Sequence, residues 1–435
     1  MLSFVVEPSL ALHGCLRVPG DKSISHRAVT LGALAEGVTE VHGFLEGEDC
    51  LATLNAFRAM GVPIQGPTAG CVTIQGMGLW GLKAPDKPLY LGNSGTAMRL
   101  LAGLLAGQPF DTVLTGDQSL SSRPMRRITE PLTAMGARIE TTAAGTAPLY
   151  IQGGQRLKGI DYRLPVASAQ VKSSVLLAGL YAQGRTCVTE PVPTRDHTER
   201  MLAGFGWPVQ RSGIRICLES GARLRGCVID VPADISSAAF FLVGASIARD
   251  AELLLRHVGV NPTRTGIITI LRAMGARIEL LNERLAGGEP VADLRVCSAR
   301  LRGVQVPETL APLAIDEFPA LFIAAACAEG ETVVTGAGEL RVKESDRLQV
   351  MADGLWQLGI AAQPTPDGMI IRGGSLTGGE IDSGGDHRVA MAFAMAALRA
   401  EGAIRIRNCA NVDTSFPGFV KLSRKTGLTI RHDKE

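Results

Sequence analysis

The chain has 435 residues, of which 46% are hydrophobic and 20% are charged, a composition typical of a folded protein with two or three domains. Lys and Arg total 44 against 42 for Asp and Glu, so the net charge of +2 argues against a dedicated nucleic-acid-binding protein. The N-terminal sequence MLSFVVEPSLALHG lacks the basic start of a signal peptide, and every apolar run is too short for a membrane span. The 9 scattered cysteines include no CxxC pair. We therefore expect a soluble, cytoplasmic protein without a disulfide framework, a zinc cluster or a membrane segment.

Two series of helices are predicted along the chain. The first series opens on Ser or Asp and continues into a stretch rich in Ala and Leu. Ser and Asp cap helix N-termini, and helices that are apolar on all sides are normally buried. The six segments begin 68 to 80 residues apart, at Ser23, Ser94, Ser168, Ser236, Asp316 and Asp386.

The second series of helices alternates with the first, and each of its members ends on glycine. A glycine in this position suits the left-handed residue that follows a helix C-terminus, and the alternating apolar residues after it predict a strand. The six glycines are Gly61, Gly136, Gly206, Gly275, Gly359 and Gly427. The chain is thus predicted to repeat a unit of about 70 residues that contains strands, a buried helix and an amphipathic helix.

Six such units predict an α/β protein with two domains of three units each. The strand-like N-terminus would complete the last unit, which gives one domain over residues 21–235 and another over 1–20 and 236–435. The two crossings between these domains have similar sequences, VPGDKSIS and VPADISS. Because small ligands often bind between domains, we expect the active site in the interdomain cleft.

Basic residues recur at the predicted helix starts and in short loops. Each one by itself is typical of a surface ion pair. Their recurrence at equivalent places without matching acids indicates a ligand with several negative charges. The chain contains no GxxxxGK[ST], HxxxH or GxSxG motif, so a P-loop, a histidine metal site and a serine-hydrolase elbow are not supported. The basic residues are Lys22, Arg27, Arg123, Arg195, Lys343, Arg347 and Arg388.

Nine sequence segments, in order and over nearly the whole chain, resemble the 5-enolpyruvylshikimate-3-phosphate synthase family of enolpyruvyl transferases. The resemblance implies an enzyme of aromatic amino acid biosynthesis that transfers enolpyruvyl from phosphoenolpyruvate to the 5-hydroxyl of shikimate 3-phosphate and releases phosphate. It also implies an inside-out α/β barrel in two domains, with helices inside and sheets outside. We expect a monomer that uses no metal or organic cofactor and binds neither nucleic acid nor membranes. The segments are VPGDKSISHR, LGNSGTAMRLLAG, SSRPM, SAQVKSSVLLAGL, TRDHTE, IDEFP, LRVKESDRL, DHRVAM and TSFPGF.

The resemblance also implies two overlapping sets of substrate-binding residues. Those for shikimate 3-phosphate are Lys22, Ser23, Arg27, Ser168, Ala169, Gln170, Arg195, Asp316 and Lys343. Those for phosphoenolpyruvate are Lys22, Asn93, Gly95, Arg123, Gln170, Glu344, Arg347 and Arg388.

The reaction needs a base for the attacking hydroxyl and an acid for the methylene carbon. We expect Asp316 to be the base, with Lys22 as the alternative or as an assistant. Glu344 is the expected proton donor. Three arginines would stabilise the substrate carboxylate and the departing phosphate by charge-assisted hydrogen bonds. These are Arg123, Arg347 and Arg388.

The sequence departs from the family pattern at three places, and two other functions remain open. Ala169 gives SAQ in place of SSQ, Arg195 replaces a Ser/Tyr pattern, and Thr414 stands where some members have lysine. One alternative is an enolpyruvyl transferase that acts on UDP-N-acetylglucosamine. Such an enzyme usually has a reactive cysteine in the loop that here reads GDQSLSSRPM. The other alternative is a non-catalytic anion-binding protein with the same fold.

Overall fold

The structure is a computed structural model that describes residues 2–434. Within these residues the chain forms fourteen α-helices and three short 3-10 helices. The 3-10 helices are Glu308–Leu310, Gly338–Val342 and Ala410–Thr414. The α-helices are α1 (Lys22–Leu34), α2 (Glu48–Ala59), α3 (Gly95–Leu105), α4 (Gln118–Ser121), α5 (Arg126–Ala134), α6 (Ala169–Gly179), α7 (His197–Gly204), α8 (Ile235–Ile247), α9 (Gly266–Ala273), α10 (Ala311–Ala314), α11 (Phe318–Ala326), α12 (Arg347–Gln357), α13 (His387–Ala396) and α14 (Phe419–Lys425).

The described residues also form 23 strands. They are β1 (Leu2–Val6), β2 (Ala11–Leu16), β3 (Glu36–His42), β4 (Ile64–Thr68), β5 (Cys71–Met77), β6 (Leu89–Tyr90), β7 (Thr112–Thr115), β8 (Arg138–Glu140), β9 (Leu149–Gln152), β10 (Asp161–Arg163), β11 (Arg185–Thr189), β12 (Gln210–Ser212), β13 (Arg215–Glu219), β14 (Val228–Asp230), β15 (Asp250–Gly259), β16 (Arg277–Ala286), β17 (Glu289–Cys297), β18 (Glu331–Val334), β19 (Ala361–Thr365), β20 (Gly368–Arg372), β21 (Gly379–Asp382), β22 (Ile404–Arg407) and β23 (Ile430–Lys434).

Contacts between residues divide the described chain into two compact units. The first unit comprises Gly20–Val231 together with Ala286–Glu289, the turn between β16 and β17. The second unit comprises the described residues up to Pro19, Pro232–Leu285 and the chain from Pro290 onward. The boundaries expected from the repeats lie a few residues away from these, and the repeats gave no sign of the 286–289 segment.

The first unit surrounds three buried helices with three sheets. The sheets have the strand orders β10-β11-β13-β12, β14-β3-β5-β4 and β6-β7-β9-β8. Each contains one parallel pair followed by two antiparallel pairs, so a single topology is repeated three times. Helices α1, α3 and α6 are buried along nearly their whole length, and α3 contacts both of the others. Their apolar residues supply the core of this unit.

The second unit repeats the arrangement with one irregular sheet. Its sheets have the orders β16-β17-β15-β2, β18-β20-β19 and β21-β22-β1-β23. The N-terminal strand β1 lies between β22 and β23, antiparallel to both. Where the other sheets have a parallel edge strand, the three-stranded sheet has isolated bridges such as Gln305 to Val333. Helices α8, α11 and α13 contact one another and are almost entirely buried. The predicted α/β fold of repeated units with helices inside and sheets outside is confirmed.

The glycine positions of the second helix series are confirmed, whereas several predicted caps of the first series are wrong. All six glycines have positive φ, from 83° at Gly359 to 113° at Gly427. The side chain of Asp21 caps α1 and that of Asp234 caps α8, so Ser23 and Ser236 lie inside their helices. In both cases an aspartate two residues upstream accepts the N–H hydrogen bond that a cap must accept.

The described residues contain one disulfide, although the scattered cysteines predicted no disulfide framework. Cys187 on β11 and Cys217 on β13 face each other across an antiparallel ladder and form a disulfide, with Cα atoms 4.1 Å apart. The two residues are 30 positions apart in sequence. Only the register of the two strands brings them together. The cysteines outside this disulfide are Cys15, Cys50, Cys71, Cys227, Cys297, Cys327 and Cys409.

Among residues 2–434, no single helix is both long and apolar enough to cross a membrane. One bent pair, Glu308–Ala314 with Phe318–Ala326, meets the criterion only when its two halves are taken together.

Candidate active site

The predicted site residues fall into two clusters, one in each unit. The first-unit cluster contains Lys22, Ser23, Arg27, Asn93, Gly95, Arg123, Ser168, Ala169, Gln170 and Arg195. The second-unit cluster contains Asp316, Lys343, Glu344, Arg347 and Arg388.

The N-termini of the three buried helices organise the first-unit cluster. Lys22, Gly95 and Ala169 are the first residues of α1, α3 and α6. The α3 cap, Ser94, accepts a hydrogen bond from the backbone N–H of Ala97, and Ser168 caps α6 in the same way. A helix N-terminus combines free backbone N–H groups with a partial positive charge and therefore favours anions.

Lys22 is held by an acid that the sequence did not indicate. Its Nζ lies 2.9 Å from Oδ2 of Asp49 in the first turn of α2, and both side chains are largely buried. The 27 residues between them conceal this contact in the sequence. The ion pair restricts the ammonium group to one direction.

Arg27 is almost fully buried, and all its guanidinium nitrogens donate hydrogen bonds. Nε donates to Thr198 at 2.6 Å and Nη2 to Ser173 at 2.8 Å. Nη1 donates to the backbone oxygen of Ser23 at 2.9 Å. Burial lowers the pKa of Arg27 to about 10, opposed chiefly by the negative charge of Glu199. The side chain therefore stays positive at neutral pH.

The 116–125 loop forms a polar contact network with Asn93, which lies just before α3. Arg123 Nη2 donates to Asn93 Oδ1 at 2.5 Å and to the hydroxyl of Ser119 at 3.2 Å. Asn93 in turn donates to Asp117 at 2.8 Å. A Cβ added at Gly95 would lie only 3.2 Å from Arg123 Nη1. The absence of a Cβ at Gly95 therefore leaves space for the Arg123 guanidinium.

Gln170 connects the start of α6 to α3. Its Nε2 donates to the hydroxyl of Thr96 at 3.0 Å, and its Oε1 accepts a short hydrogen bond from Arg99. Arg99 belongs to the GNSGTAMR segment but was not among the predicted site residues. The spacing of 71 residues between Arg99 and Gln170 is one repeat of the chain, and that signal could have linked them.

Arg347 is the centre of the second-unit cluster. Its side chain is 1% exposed, and its Nε lies 2.8 Å from Oδ2 of Asp386. Nη2 lies 2.5 Å from Glu344 Oε2, and Nη1 lies 3.5 Å from Asp316 Oδ1. Burial by itself would lower the pKa of Arg347, but Asp386, Glu344 and Asp316 together raise it. The guanidinium thus stays charged and holds both predicted acid–base residues.

Asp386 was not predicted as a site residue, although the sequence marked it as a helix start. Its side chain caps α13 by accepting a hydrogen bond from the N–H of Arg388 at 2.9 Å. Although burial opposes ionisation, Arg347 lowers the pKa of Asp386. One carboxylate therefore both begins a buried helix and fixes the central arginine.

Lys343 and Arg388 also contact Asp316. Nζ of Lys343 lies 3.5 Å from Oδ1 of Asp316. Arg388 Nη1 donates to the backbone oxygen of Asp316 at 3.1 Å. Residues 343–346 are not helical, because α12 begins only at Arg347 behind its cap Asp346. The preceding turn nevertheless brings Lys343 and Arg347 to the same carboxylate.

The expectation that the clustered cations lack matching acids is wrong. Lys22 is paired with Asp49, and Arg347 contacts three carboxylates. The acids come from distant parts of the chain, so local sequence could not reveal the pairing. Within residues 2–434, no three His, Cys, Asp or Glu side chains form a group that could hold a metal ion.

Comparison with known proteins identifies the family. The family model described as EPSP synthase (3-phosphoshikimate 1-carboxyvinyltransferase) matches residues 6–422. The 3-phosphoshikimate 1-carboxyvinyltransferase of Nitrosococcus oceani is 69% identical over 433 residues, which cover 100% of this chain and 98% of the relative. That of Methylococcus capsulatus is 70% identical over 427 residues and 98% of both chains. A solved structure of EPSP synthase from Acinetobacter baumannii is 59% identical, covers 100% of both chains and has a TM-score of 0.91. The resemblance found in the sequence is thereby confirmed, and the chain belongs to the EPSP synthase family of 3-phosphoshikimate 1-carboxyvinyltransferases.

Proposed function

We propose that this chain transfers the enolpyruvyl group of phosphoenolpyruvate to the 5-hydroxyl of shikimate 3-phosphate and releases inorganic phosphate. The observation that carries the proposal is the contact of two carboxylates, Asp316 and Glu344, with the buried guanidinium of Arg347. Addition of an alcohol to an enol phosphate needs a base and an acid, and two such carboxyl groups can supply both.

In this proposal the first-unit cluster binds the phosphate of shikimate 3-phosphate. Arg27 and Arg195 supply positive charge, and the N-termini of α1 and α6 supply backbone N–H groups. Each charge-assisted hydrogen bond contributes about 1.5–3 kcal/mol. The buried carboxylate of Asp316 and the ammonium of Lys343 bind the ring hydroxyls in the second-unit cluster.

The proposed phosphoenolpyruvate-binding residues follow the family resemblance. Arg123, with its Asn93 contact and the room left by Gly95, binds one anionic group of the substrate. Arg347 and Arg388 bind the other. Gln170 and Lys22 complete the set. Because a substrate carboxylate on Arg347 would replace its contact with Glu344, binding frees Glu344 to take up the proton that it must donate.

The proposed chemistry has two steps. In the addition, Asp316 accepts the proton of the 5-hydroxyl, with Lys22 as the alternative base. Glu344 protonates the methylene carbon, while the 5-oxygen bonds to the central carbon and gives a tetrahedral ketal phosphate. In the elimination, Glu344 takes a proton back from the new methyl group, the electrons of that C–H bond re-form the carbon–carbon double bond, and the bond between carbon and the phosphate oxygen breaks. Phosphate leaves with the electron pair of that bond, stabilised by the arginines.

We also propose that the chain acts as a monomer without a metal or organic cofactor. Transfer to UDP-N-acetylglucosamine is not favoured, because curated relatives named 3-phosphoshikimate 1-carboxyvinyltransferase match along nearly the whole chain and the 116–125 loop has no cysteine. A purely anion-binding protein would not need an acid–base pair on one guanidinium.

Phosphate release by the purified protein tests the proposal. We expect release when phosphoenolpyruvate and shikimate 3-phosphate are both present, at a rate that EDTA does not change. We expect none when UDP-N-acetylglucosamine replaces shikimate 3-phosphate. The assignment would be refuted if no phosphate were released with shikimate 3-phosphate, or if phosphate were released only when UDP-N-acetylglucosamine is the acceptor.

A further inference from the structure

A lysine that no proposed catalytic step uses is fully buried in the first unit. Lys172 lies on α6, two residues after Gln170, and its side chain is 0% exposed. Its Nζ lies 3.1 Å from Glu190 Oε1 and 2.7 Å from Glu199 Oε1, and both acids are buried as well. We call these three residues the ion triad. A buried ion group adds little stability over an apolar replacement of similar volume, which points to a role other than stability.

The two acids of the ion triad lie at the two ends of one segment. Glu190 directly follows β11, and Glu199 lies in the first turn of α7. Arg195, the predicted phosphate ligand, lies between them. The hydroxyl of Thr194 donates a short hydrogen bond to Glu190 as well. Lys172 therefore ties both ends of the 190–199 segment to α6.

A second contact runs beside the ion triad and reaches Arg27. Ser173 follows Lys172 and Thr198 precedes Glu199, and their hydroxyls lie 2.7 Å apart. Arg27 donates to both hydroxyls, at 2.8 Å and 2.6 Å. Lys172 holds α6 and α7 together next to Ser173 and Thr198. These two hydroxyls in turn fix the direction of the Arg27 guanidinium.

Electrostatics connects the same groups. After burial, Glu199 has the largest effect on the pKa of Arg27 and raises it, whereas Arg195 lowers it. The positive charges of Arg27 and Arg195 are thus close enough to influence each other. Glu199 interacts with both Lys172 and Arg27. Without Lys172, Glu199 would be free to turn toward Arg27 and offset the charge meant for the substrate.

We infer that Lys172 is a positioning residue for shikimate 3-phosphate: through the ion triad it holds the 190–199 segment against α6 and so orients Arg27 and Arg195 toward the substrate phosphate. This inference rests on the proposed function and deepens it. Phosphoenolpyruvate binding should not depend on Lys172 to the same degree. The Arg123 network involves Asn93, Ser119 and Asp117, none of which belongs to the ion triad.

Lys172→Met removes the charge and keeps most of the side-chain length. We expect the KM for shikimate 3-phosphate to rise about tenfold or more, which corresponds to about 1.4 kcal/mol. The KM for phosphoenolpyruvate and kcat should stay within about threefold of the wild-type values. Lys158→Met, at an exposed lysine of the same unit, is the matched control and should leave all three constants unchanged.

The double variant Lys172→Met/Glu199→Gln guards against misfolding of the single variant, because it preserves the net charge of the buried group. It should show the same selective rise in KM, since the tie between α6 and α7 is still lost. KM values equal to those of the wild type in either folded variant, or an equal rise in KM for both substrates, would overturn this inference and leave the proposed function standing. Absence of phosphate release by the wild-type protein would overturn the proposed function, and the inference with it.

Discussion

Individual residues in this protein are placed by partners far away in the chain. Lys22 is held by Asp49, and Arg347 is held by Asp386, which lies 39 positions later. The sequence motifs identified the cations because their types and neighbours follow a family pattern. They could not identify these carboxylates as partners, because an aspartate in a helix first turn or at a cap has the ordinary role of stabilising that helix.

Replacement of Glu344 tests its assigned role as proton donor. Glu344→Gln keeps the shape and the hydrogen-bonding ability of the side chain but cannot donate or accept the reacting proton. We expect kcat to fall by about 10²–10⁴-fold. Binding of shikimate 3-phosphate, measured by titration calorimetry, should stay near normal. Turnover close to that of the wild-type enzyme would remove Glu344 from the mechanism.

Gly95 tests how closely the start of α3 is fitted to Arg123. Gly95→Ala places a methyl group 3.2 Å from Arg123 Nη1, so the guanidinium must shift. We expect the KM for phosphoenolpyruvate to rise about tenfold, because small displacements of a binding group are costly. Gly204→Ala, where an added Cβ meets nothing within 4 Å, is the control. An unchanged KM for phosphoenolpyruvate in Gly95→Ala would show that Arg123 does not bind this substrate from its present position.

At the scale of elements, the repeated helices supply the site with its frame. The helices α1, α3 and α6 are buried on all sides, and their first residues carry the predicted ligands. Their existence and spacing were predictable because apolar, Ala-rich segments recur every 68 to 80 residues. The predicted caps of α3 and α6 are confirmed, whereas that of α1 is wrong, because Asp21 lies two residues before Ser23 and takes the capping role. The spacing of charges in residues 343–347 could not show that a turn precedes α12, because a three- or four-residue spacing suits both a helix and a turn.

Asp386 tests whether a helix cap also supports the buried arginine. Asp386→Asn can still cap α13, but it removes a carboxylate from Arg347, which is 1% exposed. Leaving a buried charge without its partner costs about 3–5 kcal/mol, so the unfolding midpoint in denaturant should fall clearly. Asp353→Asn, at an exposed position on α12, is the control and should leave the midpoint near that of the wild type. A midpoint in Asp386→Asn equal to that of the control would show that the remaining acids are sufficient.

For the whole molecule, buried titratable groups limit the pH range of stability. Burial lowers the pKa of His26 from 6.5 to about 3, so its neutral form is favoured in the folded state. The stability that this provides is present above pH 6.5 and is lost as the pH falls toward 3. Burial raises the pKa of Cys327 from 9.0 to about 12. Its contribution is present below pH 9 and is lost as the pH rises toward 12.

We therefore expect the free energy of unfolding to be greatest between about pH 6.5 and 9. Denaturant titrations across the pH range measure this directly. His26→Asn should make the free energy of unfolding depend less on pH below pH 6.5. Cys327→Ala should make it depend less on pH above pH 9. His13→Asn, at an exposed histidine, is the control and should leave both sides unchanged. If the free energy of unfolding falls equally steeply with pH below 6.5 in His26→Asn and in the wild type, His26 is not the cause of the loss of stability in acid.

The sequence by itself determined the six-fold repeat, the fold class and the family. These depend on periodic apolar residues, on glycines that end helices, and on short motifs, all of which are local properties of the chain. The tertiary structure alone decided which acid faces each cation, which cysteines meet, and that Lys172 is buried between two glutamates. Such contacts join residues tens of positions apart. Their energy depends on distance and burial, and neither is defined until the sheets and helices have packed.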